Sequence, residues 1–170
     1  MNIQSALTEG LNILKNKSIL SAKLDTEILM AKVLGKNREY IILNNNKFLN
    51  EKNLKYFKKL VQERATRKPI AYLLKKKFFW NSEFYVNKNT LIPRPDTEVI
   101  LEQILKFTKN KNYLNILDIG VGSGCILLSV LKEKKNFYGT GIDISKKCLN
   151  ISKINAKNLN LETRTKFYKT

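Results

Sequence analysis

"LNILDIGVGSGCILLSV", Leu114–Val130, decides how this 170-residue chain folds. The run up to Ile119 is short and apolar around Asp118, the pattern of a buried strand. "GVGSG", Gly120–Gly124, comes next, and apolar residues then resume at helical spacing. Glycines at such a turn let the backbone bend tightly and approach a ligand with no Cβ in the way. The first turn of the following helix points its free N–H groups at the same place. Downstream, "FYGTGIDIS" from Phe137 reads as a second strand and "KKCLNISKINAKNLN" from Lys146 as a second helix. "TKFYKT" from Thr165 starts a third strand. The order β-α-β-α-β implies parallel strands joined by right-handed crossovers, hence an α/β sheet of nucleotide-binding type.

The loop also limits its ligand. Cys125 occupies the place of the third glycine in a dinucleotide fingerprint, and no Gly-Lys-Ser/Thr follows, which excludes a P-loop. A second acid, Asp143, closes the second strand, where a carboxylate can accept hydrogen bonds from both hydroxyls of a ribose. Asp118 stands just before the first glycine, and an anion there disfavours a pyrophosphate and suits an ammonium or sulfonium. S-adenosylmethionine carries a ribose, an amine and a sulfonium. The candidate cofactor-binding residues are therefore Asp118, Gly120, Val121, Gly122, Ser123, Gly124 and Asp143.

Upstream the pattern is helical. Ile3, Leu7, Leu11 and Leu14 share one helix face. Ser21 is placed to cap a second helix carrying Leu24, Ile28, Leu29 and Ala31 to Val33, which Gly35 stops. A third holds Leu54, Phe57, Leu60, Val61 and Ala65, with Pro69 as its end. The period then changes to two short aromatic and β-branched runs around Asn81-Ser82, a hairpin pattern. In "LIPRPDTEVI", Leu91–Ile100, two prolines stiffen the backbone around Arg94, and Asp96 is placed as the N-cap of the next helix.

Composition narrows the classes. The sequence is 43% hydrophobic and 27% charged, enough for a buried core and unlike a disordered chain. No apolar run approaches the roughly 20 residues that span a bilayer, and the start lacks a basic region before an apolar one, so neither a membrane span nor a secretory signal is expected. Cys125 and Cys148 are isolated and histidine is absent, so no metal site or disulfide framework is expected and a reducing cytoplasm is the default. The net charge is +18, divided as +11 over residues 1–80 and +7 over residues 81–170. It is spread along a chain rich in Lys, Asn and Ile, the composition of a Lys-enriched surface rather than of a dedicated nucleic-acid face.

"LIPRPDTE", "ILDIGVGSGCILLSV" and "GIDISKKCLNISKINA" together resemble the HemK/PrmC family of protein-glutamine N5-methyltransferases. "RKPIAYLLKKKFFWNSEFYV" resembles that family's linker, with Lys75 where the family usually has glycine and Phe78 where an acid is common. The resemblance implies a small N-terminal helical bundle over 1–73 that recognises the substrate, a β-hairpin linker over 74–92, and a partial methyltransferase domain over 93–170. The last would be the first half of a Rossmann-like class I S-adenosylmethionine-dependent sheet. It implies an enzyme moving a methyl group from S-adenosylmethionine to the glutamine amide nitrogen in the Gly-Gly-Gln motif of class I peptide chain release factors. Arg94 is expected at the pocket edge. No catalytic residue is assigned, because the family's Asn-Pro-Pro-Tyr motif does not occur and the prolines are Pro69, Pro93 and Pro95. The chain thus reads as C-terminally truncated and inactive by itself, with an unpaired strand edge at Leu114–Asp118. Alternatives are an adenine amino-methyltransferase acting on nucleic acid and an inactive basic fragment.

Overall fold

The computed structural model describes residues 1–170. Its contacts divide the chain into two compact units, Met1–Leu74 and Lys75–Thr170. The first is all helical: α1 (Ile3–Asn16), α2 (Ala22–Leu34), α3 (Arg38–Leu43), α4 (Glu51–Ala65) and α5 (Ile70–Leu74). Asn2, Asn37 and Asn50 cap α1, α3 and α4, each side-chain oxygen accepting an N–H three residues on. Gly35 ends α2 with φ 62°, a left-handed cap that a Cβ would strain. Ile3, Leu14, Leu29, Met30, Ile41, Phe57 and Val61 fill the core.

Three details of this unit differ from the sequence expectation. Leu24 is 43% exposed, whereas Asp25 and Thr26 are buried on α2. Asp25 turns inward because Arg64 Nε donates to its Oδ2 at 2.8 Å and Ser21 Oγ donates to it at 2.8 Å, so a buried charge is compensated. The Ser21 hydroxyl is thereby used on a carboxylate and makes no backbone cap bond. Finally, α4 stops at Ala65, with Arg67 left-handed at φ 66°. Pro69 instead opens α5, its carbonyl accepting from Tyr72 N and Leu73 N.

The second unit is α/β, as the strand and helix order implied. A hairpin of β1 (Lys76–Phe79) and β2 (Ser82–Tyr85) precedes α6 (Glu98–Phe107), β3 (Asn115–Ile119), α7 (Cys125–Glu133), β4 (Tyr138–Asp143), α8 (Lys146–Asn158) and β5 (Thr165–Lys169). The hairpin turn is Trp80-Asn81, one residue earlier than Asn81-Ser82, since Phe79 pairs with Ser82. Lys75 holds φ 60°, which is the steric reason a glycine suits that place.

Strands β3, β4 and β5 form a parallel sheet in the order β3-β4-β5, with Asp118 opposite Gly141 and Asp143 opposite Lys169. β3 therefore has a neighbour on one side only. The face bearing Gly139 and Gly141 packs under the helices, because a Cβ on Gly139 would lie 2.6 Å from Leu127 Cδ1 and one on Gly141 2.8 Å from Val121 Cγ2. Leu117 and Ile119, on the other face, are 58% and 75% exposed. Phe79, Phe84, Leu101, Leu127, Leu131 and Phe137 are fully buried in the core of this unit.

The proline-rich segment works differently from a simple cap. Pro95–Thr97 forms a short 3₁₀ turn with Arg94 before it, so Asp96 lies inside the turn and is not the N-cap of α6. Pro95 at the first position sets φ and starts the turn early. Glu98 contributes more than Asp96 does, because its Oε1 accepts from Trp80 N at 2.8 Å. Trp80 sits at φ 51°, and that carboxylate holds its backbone there.

Candidate functional site

The loop Gly120–Gly124 lies at the carboxyl end of the strands, where open α/β sheets bind ligands. Gly120, Gly122 and Gly124 have φ of 80°, 56° and 80°. At Gly124 a Cβ would also lie 2.9 Å from Leu128 Cδ1, whereas at Gly120 it would meet nothing within 4 Å. The first glycine thus faces open space, and the last leaves room for Leu128 of α7 and Ser152 of α8. Val121 and Ser123 are buried, at 5% and 3% exposure, and fix the loop from below.

Almost every loop donor is already used. Gly120 N and Val121 N both donate to Ile142 O, at 2.9 and 3.0 Å, and Gly124 N donates to Val121 O at 2.8 Å. Gly122 N donates to Asp143 Oδ2 at 3.1 Å, and Ser145 N to its Oδ1 at 2.8 Å. Ser145 also caps α8 through Cys148 N at 3.3 Å. A phosphate cradle needs several free N–H groups converging on one point. This loop has spent them on β4 and on Asp143, so it is not built for a pyrophosphate.

Asp118 and Asp143 give the site its charge. Burial holds the Asp118 carboxyl above its ordinary range, the Leu127 backbone N–H at the start of α7 partly offsets that, and the negative Asp143 raises it further. An ionised Asp118 lacks a cationic partner in the protein, which a cationic ligand group would supply. Burial likewise pushes the Cys125 thiol up, against the Ser123 hydroxyl, so it is no ready nucleophile.

The structure brings Asp118, Gly120 to Gly124 and Asp143 together. Arg94, expected at the pocket edge, has an exposed side chain, and no hydrogen bond or ion pair ties it to the loop. Two neighbours of the loop escaped the sequence reading. Ser152 and Asn155 are both fully buried on α8 and donate to the carbonyls of Gly122 and Ser123. Their signal was present as two polar residues at positions 152 and 155, on the helix face that also carries Cys148 and Ala156.

Residues 5–74 match the family model described as the PrmC N-terminal domain. The similarity continues through the second unit. The release factor glutamine methyltransferase of Leptospira interrogans serogroup Icterohaemorrhagiae serovar Lai is 40% identical over 156 residues, covering 91% of this chain and 54% of that protein. Those of Clostridium acetobutylicum and of Buchnera aphidicola subsp. Acyrthosiphon pisum are each 37% identical, over 98% and 99% of this chain and 58% and 60% of theirs. The resemblance to the HemK/PrmC family therefore holds along nearly the whole chain, which spans 54–60% of the length of these relatives. Among solved structures, a S-adenosylmethionine-dependent methyltransferase from Geobacter sulfurreducens in complex with S-adenosyl-L-homocysteine is 26% identical. The overlap covers 45% of this chain and 29% of that one, at a TM-score of 0.38. No helix is long and apolar enough to cross a membrane.

Proposed function

We propose that this chain binds S-adenosylmethionine at Asp118, the Gly120–Gly124 loop and Asp143, in the service of methyl transfer to the glutamine side-chain amide of class I peptide chain release factors. The observation that carries the cofactor reading is the pair of carboxylates beside a loop with all but one of its N–H groups already committed. In this reading Asp143 would accept from a ribose, Asp118 would face the cationic end of the ligand, and Ile144, 79% exposed directly after the acid, would offer apolar surface to a base. The substrate reading rests on the relatives, which are release factor glutamine methyltransferases. The cytoplasm, where release factors act, is the compartment this reading entails.

The bound cofactor would supply the activated methyl group. The residues of this chain would hold and orient it and keep its cationic end beside a carboxylate. An amide nitrogen shares its lone pair with the carbonyl, so it needs acceptors that hold its N–H atoms and aim it in line. The Asn-Pro-Pro-Tyr that does this in the family is not within residues 1–170, so we expect ligand binding from them without turnover.

Titration of the chain with a purified class I release factor and with duplex DNA, at 150 mM salt or above, tests the partner. Saturable, salt-resistant binding to the release factor is expected, with DNA binding that falls steeply as salt rises. The reverse pattern would favour an adenine amino-methyltransferase.

A further inference from the structure

The cofactor reading uses the loop Gly120–Gly124 and leaves the two buried α8 side chains beneath it unassigned. Ser152 Oγ donates to Gly122 O at 2.8 Å and to Cys148 O at 3.3 Å. Asn155 Nδ2 donates to Ser123 O at 2.8 Å and to Tyr85 O at 3.0 Å, while its Oδ1 accepts from Tyr85 N at 2.7 Å. Both residues are 0% exposed, so these bonds are made away from water.

Their effect follows from peptide geometry. No peptide in the chain is cis, and in a trans peptide the C=O and N–H point in opposite directions. A Gly122 carbonyl turned toward α8 therefore turns the Ser123 N–H away from α8. That N–H is the one amide between Gly120 and Gly124 that no carbonyl or carboxylate of the chain accepts. Ser123 is flanked by Gly122 and Gly124, both at positive φ, and glycine allows those planes many orientations. The two α8 donors select one.

We propose that Ser152 and Asn155 are positioning residues for the cofactor: they hold two successive peptide planes of the loop so that the Ser123 N–H is presented to an acceptor on the ligand. This rests on the reading that the loop binds S-adenosylmethionine. Asn155 also anchors the hairpin through Tyr85, so its loss disturbs more than the loop. Ser152 hydrogen-bonds only to the loop and to its own helix, which makes it the residue to change.

The test compares Ser152→Ala with Ser129→Ala. Ser129 is equally buried, on α7, but its hydroxyl has no partner, so it controls for losing a buried serine as such. Calorimetric titration with S-adenosyl-L-homocysteine is expected to show affinity falling about 3- to 10-fold in Ser152→Ala, the range of one hydrogen bond, and unchanged in Ser129→Ala. In ligand-free ¹⁵N spectra, Ser152→Ala should shift the Ser123 and Gly124 amides and lower the Ser123 heteronuclear NOE. Affinity within twofold of wild type, an equal loss in Ser129→Ala, or unmoved Ser123 and Gly124 amides would overturn the proposal. Failure of the wild-type chain to bind would refute the cofactor reading instead, and the loop amides alone would then decide the positioning role.

Discussion

Replacing Glu98 by alanine removes the acceptor that holds Trp80 in its left-handed turn. The bond is a backbone N–H on a carboxylate at 2.8 Å, and both residues are half-buried. Hydrogen bonds to charged groups contribute about 1.5–3 kcal/mol, and partial solvation places this one near the lower end, at about 1.5 kcal/mol. Trp80 is the single tryptophan of the chain, so its fluorescence follows the unfolding of the second unit. With a urea m-value of about 1.5 kcal/mol/M, Glu98→Ala should lower the midpoint by about 1 M. Glu98→Gln keeps a neutral acceptor and should lose about half as much. Glu133 accepts the Trp80 indole Nε1 at 2.7 Å but is exposed, so Glu133→Ala should cost under about 0.5 kcal/mol. A Glu98→Ala midpoint within about 0.2 M of wild type, or a larger effect at Glu133 than at Glu98, would refute the role assigned to Glu98.

Two other changes probe the core and the site. Gly139→Ala places a Cβ 2.6 Å from Leu127 Cδ1 and 3.0 Å from Leu131 Cδ1, both fully buried, and should destabilise by about 1–3 kcal/mol. Near-UV circular dichroism should show a melting point lower by about 4–8 °C per kcal/mol, and an unchanged one would contradict the packing of α7 on β4. Asp118 has a folded-state pKa above its unfolded value, so the native state binds its proton more tightly. Its contribution to stability is present in full below the unfolded pKa and is lost as pH rises through the raised folded pKa. Asp118→Asn should therefore raise the ligand-free melting point at pH 7. It should also weaken S-adenosylmethionine binding and flatten the acid-side loss of affinity that wild type shows as Asp118 protonates. Binding that is indifferent to both substitution and pH would remove Asp118 from the site.

The architecture of the second unit was legible because its signals are local. A short apolar strand, a glycine loop and a helical repeat follow one another from Leu114, a second strand and helix come after them, and the parallel register of Asp118 with Gly141 follows from that order. The loop and the acid at Asp143 could be named for the same reason. What the sequence concealed depends on long-range partners. Asp25 lies on the buried face of α2 because Arg64, far along the chain, meets it there. Asp96 is a good cap by residue type, yet Pro95 starts the 3₁₀ turn before it. Glu98 looks like a charge favouring a helix start until Trp80 N is found 2.8 Å from it. Ser152 and Asn155 are polar residues of ordinary type in a helix, and their meaning appears only when α8 lies under the loop. Charge, spread along the chain at +18, indicated no site at all.

The most direct test is calorimetric titration of the purified chain with S-adenosyl-L-homocysteine, beside NAD as a competitor class and with Asp143→Ala as the variant. One-site binding of the nucleoside ligand, no binding of NAD, and loss of binding in Asp143→Ala are predicted. A ligand present at about 100 times its Kd should also stabilise the chain by about 2.7 kcal/mol. No heat and no melting shift with the nucleoside ligand, or equal binding of NAD, would contradict the account.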